Sequence, residues 1–307
     1  MSLAFIFPGQ GSQSVGMLTE LAAAYPQVEE SYAEASEALG YDLWGTVQNG
    51  PAEILNQTHV TQPAMLVAGV GVWRVWQARG GPQPAVMAGH SLGEYAALVC
   101  ADSVAFADAV ALVAERGRLM QEAVPEGEGA MAAILGLDDA EVIAVCERAA
   151  EGETLAAVNF NAPGQVVVAG QAEAVTRAVQ QAKAAGAKRA VALPVSVPSH
   201  CALMTPAAER LAERLEATRF TAPRIPVIHN ADVATASEPA AIRAALKRQL
   251  HSPVRWVESI RQMAEEGADK MIECGPGKVL TGLNKRIDRS LTTLPVFDPE
   301  SLEKALS

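Results

Sequence analysis

Apolar residues fall along this chain in short runs, and their spacing shifts between two patterns. "LAFIFPGQG", from Leu3 to Gly11, is continuously apolar and then breaks at a proline and a glycine, as a buried strand entering a loop does. "AMLVAGVGVWRVWQARG" has helical length. Its most apolar part, Ala64 to Trp73, is closed by Pro63 and Arg74, and the helix stops at Gly80 and Gly81. "AVMAGHSLGEYAALVCA" reads as strand, tight turn and helix. "VAFADAVALVAERGRLMQEAV" reads as a helix ended by Pro125 and Gly127. Alternation of this kind predicts a parallel sheet covered by helices.

Between Gly129 and Val195 the order of elements changes. "GAMAAILGL" is a strand, and "DDAEVIAVCERAAEG" is an amphipathic helix with Asp138 or Asp139 placed to cap it. "TLAAVNFN" and "QVVVAG" are strands joined across "APG". "QAEAVTRAVQQAKAAG" is a helix stopping at Gly186, and "AKRAVALPVS" is a further strand. The order βαββαβ is the ferredoxin-like pattern. The first pattern then resumes: a helix at "SHCALMTPAAERLAERLEAT", the strand "PVIHN", helices at "EPAAIRAALKRQLHS" and "VRWVESIRQMAEEG", and "DKMIECGPG" running into "KVLTGLNKRI". The predicted fold is α/β. Residues 1–128 and 196–307 form a large, discontinuous α/β-hydrolase-like domain with a parallel sheet, and 129–195 form a small inserted ferredoxin-like subdomain.

The 307 residues, half of them hydrophobic, suffice for a sizeable core. No apolar run is long enough to span a membrane. Met1 to Phe7 has no basic flank and reads as a strand, not a signal peptide. Cys100, Cys146, Cys201 and Cys274 lie far apart, without zinc or disulfide spacing, so the expected location is cytoplasmic. A net charge of −11 argues against nucleic-acid binding and requires any acidic partner to dock on a local basic patch.

Gly89 and Gly93 stand two residues either side of Ser91, where a strand turns into a helix. Gly-x-Ser-x-Gly in that setting is the nucleophile elbow: the sharp turn lifts the serine hydroxyl clear, and side chains at the glycines would clash. A nucleophilic serine needs a base. Of the five histidines, His90 is aimed away by the turn, His59 lies in the polar loop "NQTHVTQP", and His251 ends a helix. His200, between the end of a strand and the start of a helix, and His229, at the end of "PVIHN", remain as candidates. By its place on a helix alone, Arg116 reads as a solvated face residue, like Arg118 beside it.

"FIFPGQGSQSVGM", "GHSLGEYAAL", "AERGRLMQEAVPEG", "PVSVPSHCALM", "NADV" and "ECGPGKVLTGL" together resemble the malonyl-CoA:acyl-carrier-protein transacylases of bacterial fatty-acid synthesis, in the same order and over essentially the whole chain. The resemblance implies Ser91 as nucleophile and His200 as base. It implies that His200 is oriented by a backbone carbonyl, which falls here at Gln249, and no Asp or Glu stands out as a third triad member. It also implies an oxyanion hole from the N–H groups of Gln10 and Leu92, Arg116 for the malonyl carboxylate, and Gln62 and Asn161 in the pocket. Malonyl-CoA and acyl carrier protein are the implied partners, with no cofactor beyond the coenzyme A thioester itself. Docking candidates for the carrier protein are Lys188, Arg189, Lys285, Arg286 and Arg289.

"GQGSQSVG" fails the dinucleotide spacing at Ser14, and "CGPGKVL" lacks the gap and the hydroxyl residue of a phosphate loop. Histidine and carboxylate clusters with metal spacing are absent, so neither metal nor nucleotide cofactor is expected. Two other readings share these features: a serine thioesterase built on the same elbow, and a non-catalytic docking module of a larger synthase.

Overall fold

The computed structural model describes residues 2–195 and 197–307. Met1, at the head of the predicted first strand, and Ser196, which closes the predicted "AKRAVALPVS" strand and opens the second large-domain segment, lie outside the described residues. The described strands are β1 (Ser2–Phe7), β2 (Val86–Gly89), β3 (Gly129–Leu135), β4 (Leu155–Ala162), β5 (Gln165–Gln171), β6 (Arg189–Ala192), β7 (Val227–His229), β8 (Ala234–Thr235), β9 (Ala268–Cys274) and β10 (Thr292–Val296).

Two sheets result. The first runs β10-β9-β1-β2-β7-β8, parallel except where β8 turns back on β7. Its central strands are buried on both faces, which is why β1 and β2 read as unbroken apolar runs. On one face Phe5 meets Trp73 and Trp76 edge-on, at 5.1 and 5.2 Å between ring centroids. The second sheet is antiparallel, β4-β5-β3-β6, with helices Asp139–Ala150 and Ala172–Ala184 packed on one face. This is the ferredoxin-like order, and Asp138 caps its first helix with a capping box to Glu141. Val254, in the connection between the helices Pro239–Gln249 and Trp256–Glu265, bonds the backbone of Val158 and Phe160 on β4.

Three sequence expectations are corrected. The helix Thr58–Ala78 contains Pro63 and takes in His59, so "NQTHVTQP" is not a loop. Pro63 frees only a carbonyl of the first turn. That turn is held instead by Thr61 Oγ1 donating to Leu55 O and by Gln121 Oε1 accepting from His59 N. The helix expected from Ser199 begins at Thr205, after a short 3-10 turn at Ala202–Met204, which leaves His200 in a loop. His251 lies beyond the helix Pro239–Gln249, not at its end. The structure also has helices between Thr19 and Leu55 that the pattern does not announce. In the longest, Pro26–Leu39, the buried Val28, Tyr32 and Ala35 follow helical spacing.

Candidate active site

The parallel strands β1, β2 and β9 end at one edge of the sheet, and the candidate residues gather there. β2 turns through His90 and Ser91 into the helix Gly93–Cys100, with Ser91 at φ +52°. The approach is so close that a Cβ on Gly89 would lie 1.8 Å from the Gly93 carbonyl carbon. One on Gly93 would lie 2.1 Å from Phe7 O. Asn230 clamps the turn: its Oδ1 accepts from Ser91 N at 2.7 Å and its Nδ2 donates to Gly89 O at 2.6 Å.

His200 reaches the elbow from a distant segment. Its backbone is left-handed too, at φ +66°, and its N–H donates to Leu250 O. Its Nδ1 lies 2.7 Å from the carbonyl oxygen of Gln249. A carbonyl only accepts, so the proton sits on Nδ1 and the Nε2 lone pair faces Ser91 Oγ, also at 2.7 Å. Burial and then the charge of Arg116 push the imidazole down to about 3, against the opposing pull of the Gln249 carbonyl. The resting ring is neutral and free to accept a proton.

Arg116 is 1% exposed, not on a solvated helix face; Arg118, two residues on, is exposed and paired with Glu115. Arg116 Nη1 donates to Gln62 Oε1 at 2.7 Å and Nη2 to Gln249 Oε1 at 3.0 Å, with Ser91 Oγ at 3.4 Å from Nη2. No carboxylate pairs with it among the described residues, and its buried Nε–H has no acceptor. A desolvated guanidinium facing a nucleophile, without a counter-ion in contact, is a site for an anionic group.

Gln10, Ser91, Leu92, Arg116 and His200 line one cavity of about 110 Å³. None of the hydrogen bonds among the described residues uses the Gln10 or Leu92 N–H. A wider hollow of about 800 Å³ shares Gln10, Thr58, Leu193 and Val195 with this cavity and continues it outward. Gln62 and Asn161 do not line the cavity. Gln62 braces Arg116, and Asn161 Oδ1 accepts from His90 Nε2 at 2.7 Å. His90 also packs on Trp256, and His229 is turned away to Glu94.

Sequence reasoning missed Glu94 and Asn230. Glu94 is wholly buried on the elbow helix. The signal was available, since "GEYAALVC" is apolar all round and a helix of that kind is buried, its lone carboxylate included. Of the docking candidates, all exposed, Lys188, Arg189 and Arg286 border one surface hollow of about 390 Å³; Lys285 and Arg289 lie outside it.

Residues 4–295 match the acyl transferase domain family. The chain is 61% identical over 304 residues to a malonyl CoA-acyl carrier protein transacylase of Salmonella typhimurium, covering 99% of this chain and 98% of that one. It resembles the crystal structure of an acyl carrier protein S-malonyltransferase from Vibrio cholerae, with a TM-score of 0.97, 59% identity and 99% of both chains covered. It also resembles a malonyl-transacylase solved in complex with its type II polyketide synthase acyl-carrier protein: TM-score 0.99, 56% identity, 100% of this chain and 99% of that one.

Proposed function

The chain belongs to the acyl transferase family, and from that premise we propose that it carries a malonyl group from coenzyme A to the phosphopantetheine thiol of an acyl carrier protein. The observation that carries this reading is one hydroxyl, Ser91 Oγ, lying 2.7 Å from a neutral imidazole and 3.4 Å from a buried guanidinium.

In the first half-reaction His200 Nε2 takes the Ser91 proton as Oγ attacks the thioester carbonyl. The N–H groups of Gln10 and Leu92 receive the developing oxyanion; donors preset for that charge are worth several kcal/mol, about 3 for a single one. The carbon–sulfur bond breaks, His200 returns the proton to the coenzyme A sulfur, and malonyl-serine remains. In the second half the carrier protein's thiol gives its proton to His200, attacks the ester and takes the malonyl group, and Ser91 recovers its proton. Gln249 O holds the imidazole in one tautomer, the task a carboxylate performs in a Ser-His-Asp triad. Arg116 takes the free carboxylate of the acyl group. No metal or separate cofactor enters these steps.

The wide hollow leading outward from Gln10 suits a pantetheine arm, which both thioesters share. Lys188, Arg189 and Arg286 are the favoured carrier-protein contacts, since they border one hollow. We read 129–195 as the inserted unit and 1–128 with 196–307 as the catalytic one. Among the described residues no helix is long and apolar enough to cross a membrane. The four cysteines are free and buried, which fits work in the cytoplasm.

The test is intact-mass measurement after brief exposure to malonyl-CoA, with peptide mapping. A gain of one malonyl group on Ser91, lost on adding acyl carrier protein, is expected. Steady release of free malonate, without an acyl-enzyme, would indicate a thioesterase instead, and no covalent gain a docking module.

A further inference from the structure

Glu94 is a carboxylate with no solvent exposure on an otherwise apolar helix, directly behind the nucleophile. Taking a carboxylate out of water costs several kcal/mol unless donors surround it. Three do. His229 Nδ1 donates to Oε1 at 2.7 Å, and Asn230 N and Gln249 Nε2 donate to Oε2, each at 2.9 Å. Two of these donors belong to residues that hold the reacting groups. Asn230 clamps the Ser91 turn. Gln249 gives its backbone oxygen to His200, its Oε1 to Arg116 and its Nε2 to both Glu94 and Ser91 O.

The Gln249 amide therefore lies between a buried cation and a buried anion, with its oxygen toward Arg116 and its nitrogen toward Glu94. The charged or titratable groups gathered here are Arg116, Glu94, His200, His229, His90 and Tyr95, whose ring lies 5.5 Å from the Arg116 guanidinium. Arg116 and Glu94 oppose one another across the Gln249 amide without touching. An acyl group that ends in a carboxylate occupies Arg116 and leaves the Glu94 charge unopposed, just as His200 becomes an imidazolium. An acetyl group leaves Arg116 unpaired and Glu94 cancelled.

We propose that Glu94 is a positioning residue whose negative charge supports the His200 imidazolium once the acyl carboxylate has taken Arg116, so that it favours dicarboxylic over monocarboxylic acyl groups. This rests on the roles given above to Ser91, His200 and Arg116. It separates two duties that a triad aspartate combines: the Gln249 backbone carbonyl supplies the orientation, and Glu94, held by the side-chain amide of that same residue, supplies the charge.

Glu94→Gln removes the charge and can keep every contact. His229 need only shift its proton to Nε2, which has no partner among the described residues, and accept at Nδ1 from the new amide. Glu94→Asp keeps the charge. The measurement is single-turnover acylation of each folded variant by malonyl-CoA and by acetyl-CoA, followed by intact mass. In Glu94→Gln, malonylation is expected to slow about 10- to 100-fold while acetylation changes by less than about 3-fold, and Glu94→Asp is expected to keep the wild-type ratio. Equal slowing of both acyl groups in Glu94→Gln would mean a structural carboxylate only and overturn the proposal. If Glu94→Gln does not fold, the ratio in Glu94→Asp decides, and a collapse there overturns it equally. Failure of the wild-type chain to form malonyl-serine would instead refute the reading of function.

Discussion

Replacing Arg116 with alanine tests the source of acyl selectivity. Among the described residues this guanidinium hydrogen-bonds only the amides of Gln62 and Gln249 and the Ser91 hydroxyl, and it lies 5.5 Å from the centre of the Tyr95 ring. If a malonyl carboxylate is its missing partner, Arg116→Ala leaves that carboxylate buried and unpaired. Breaking one side of a buried, hydrogen-bonded charge pair costs about 2–5 kcal/mol. At about 1.4 kcal/mol per decade, kcat/KM for malonyl-CoA should fall roughly 30-fold to several-thousand-fold. The variant also strips a donor from Gln62 and Gln249 and opens a void, but those losses fall equally on every acyl group. Acetyl-CoA loses no partner, and removal of an unmatched cation near His200 works in its favour. Its acylation rate should hold or rise, so the malonyl-to-acetyl ratio is the reporting quantity. Single-turnover acyl-enzyme formation, followed by intact mass at subsaturating thioester, measures that ratio without the carrier protein. A variant that loses both activities in parallel, with the malonyl preference intact, would refute a carboxylate-binding role for Arg116.

Three further outcomes are expected. Because His200 titrates near 3 when folded and near 6.5 when unfolded, its contribution to stability is constant above pH 6.5. Below that, the unfolded chain binds a proton that the folded one refuses, and stability falls by about 2 kcal/mol by pH 5; burial lowers His90 too, and it adds in the same direction. Urea unfolding from pH 7 to pH 5 measures the slope, which should be shallower in His200→Ala. Gly93→Ala should lose about 3 kcal/mol or more, because the added methyl would meet the backbone at Phe7 O; an unfolding midpoint equal to wild type would contradict the packing of the elbow. Charge reversal at Lys188, Arg189 and Arg286 together should raise KM for the carrier protein and leave malonyl-CoA acylation unchanged. An unaltered KM would put the docking surface elsewhere.

What could be read from the sequence follows a physical divide. Backbone constraints leave local traces. Gly89 and Gly93 around Ser91 announced a turn too tight for side chains, and βαββαβ order announced the second sheet. Contacts made by tertiary packing leave almost none. The Gln249 carbonyl is a backbone atom any residue would supply, so its role came from family resemblance and not from residue type. Arg116 and Arg118 look alike on paper, but one lies 1% exposed beneath the serine and the other is in solvent, a difference set by a helix face that only the assembled fold defines. Pro63 reads as a boundary in the sequence because proline disfavours helix interiors. Near a helix start that rule loses force, since first-turn groups can find partners elsewhere.

Ser91 and His200 share a backbone feature that joins these points. Both are non-glycine residues at positive φ, a conformation that costs about 1–3 kcal/mol each. Neither turn is held by its own neighbours alone. Asn230, 139 residues from Ser91, fixes the elbow, and Leu250 O and Gln249 O fix the histidine loop across a separation of 49 residues for the latter. Asn230 and Gln249 in turn both donate to Glu94. The two strained turns are thus pinned to one another through a single buried carboxylate. Relaxing either would require breaking hydrogen bonds that also serve the other, and the 2.7 Å approach of Oγ to Nε2 is the product of that shared constraint.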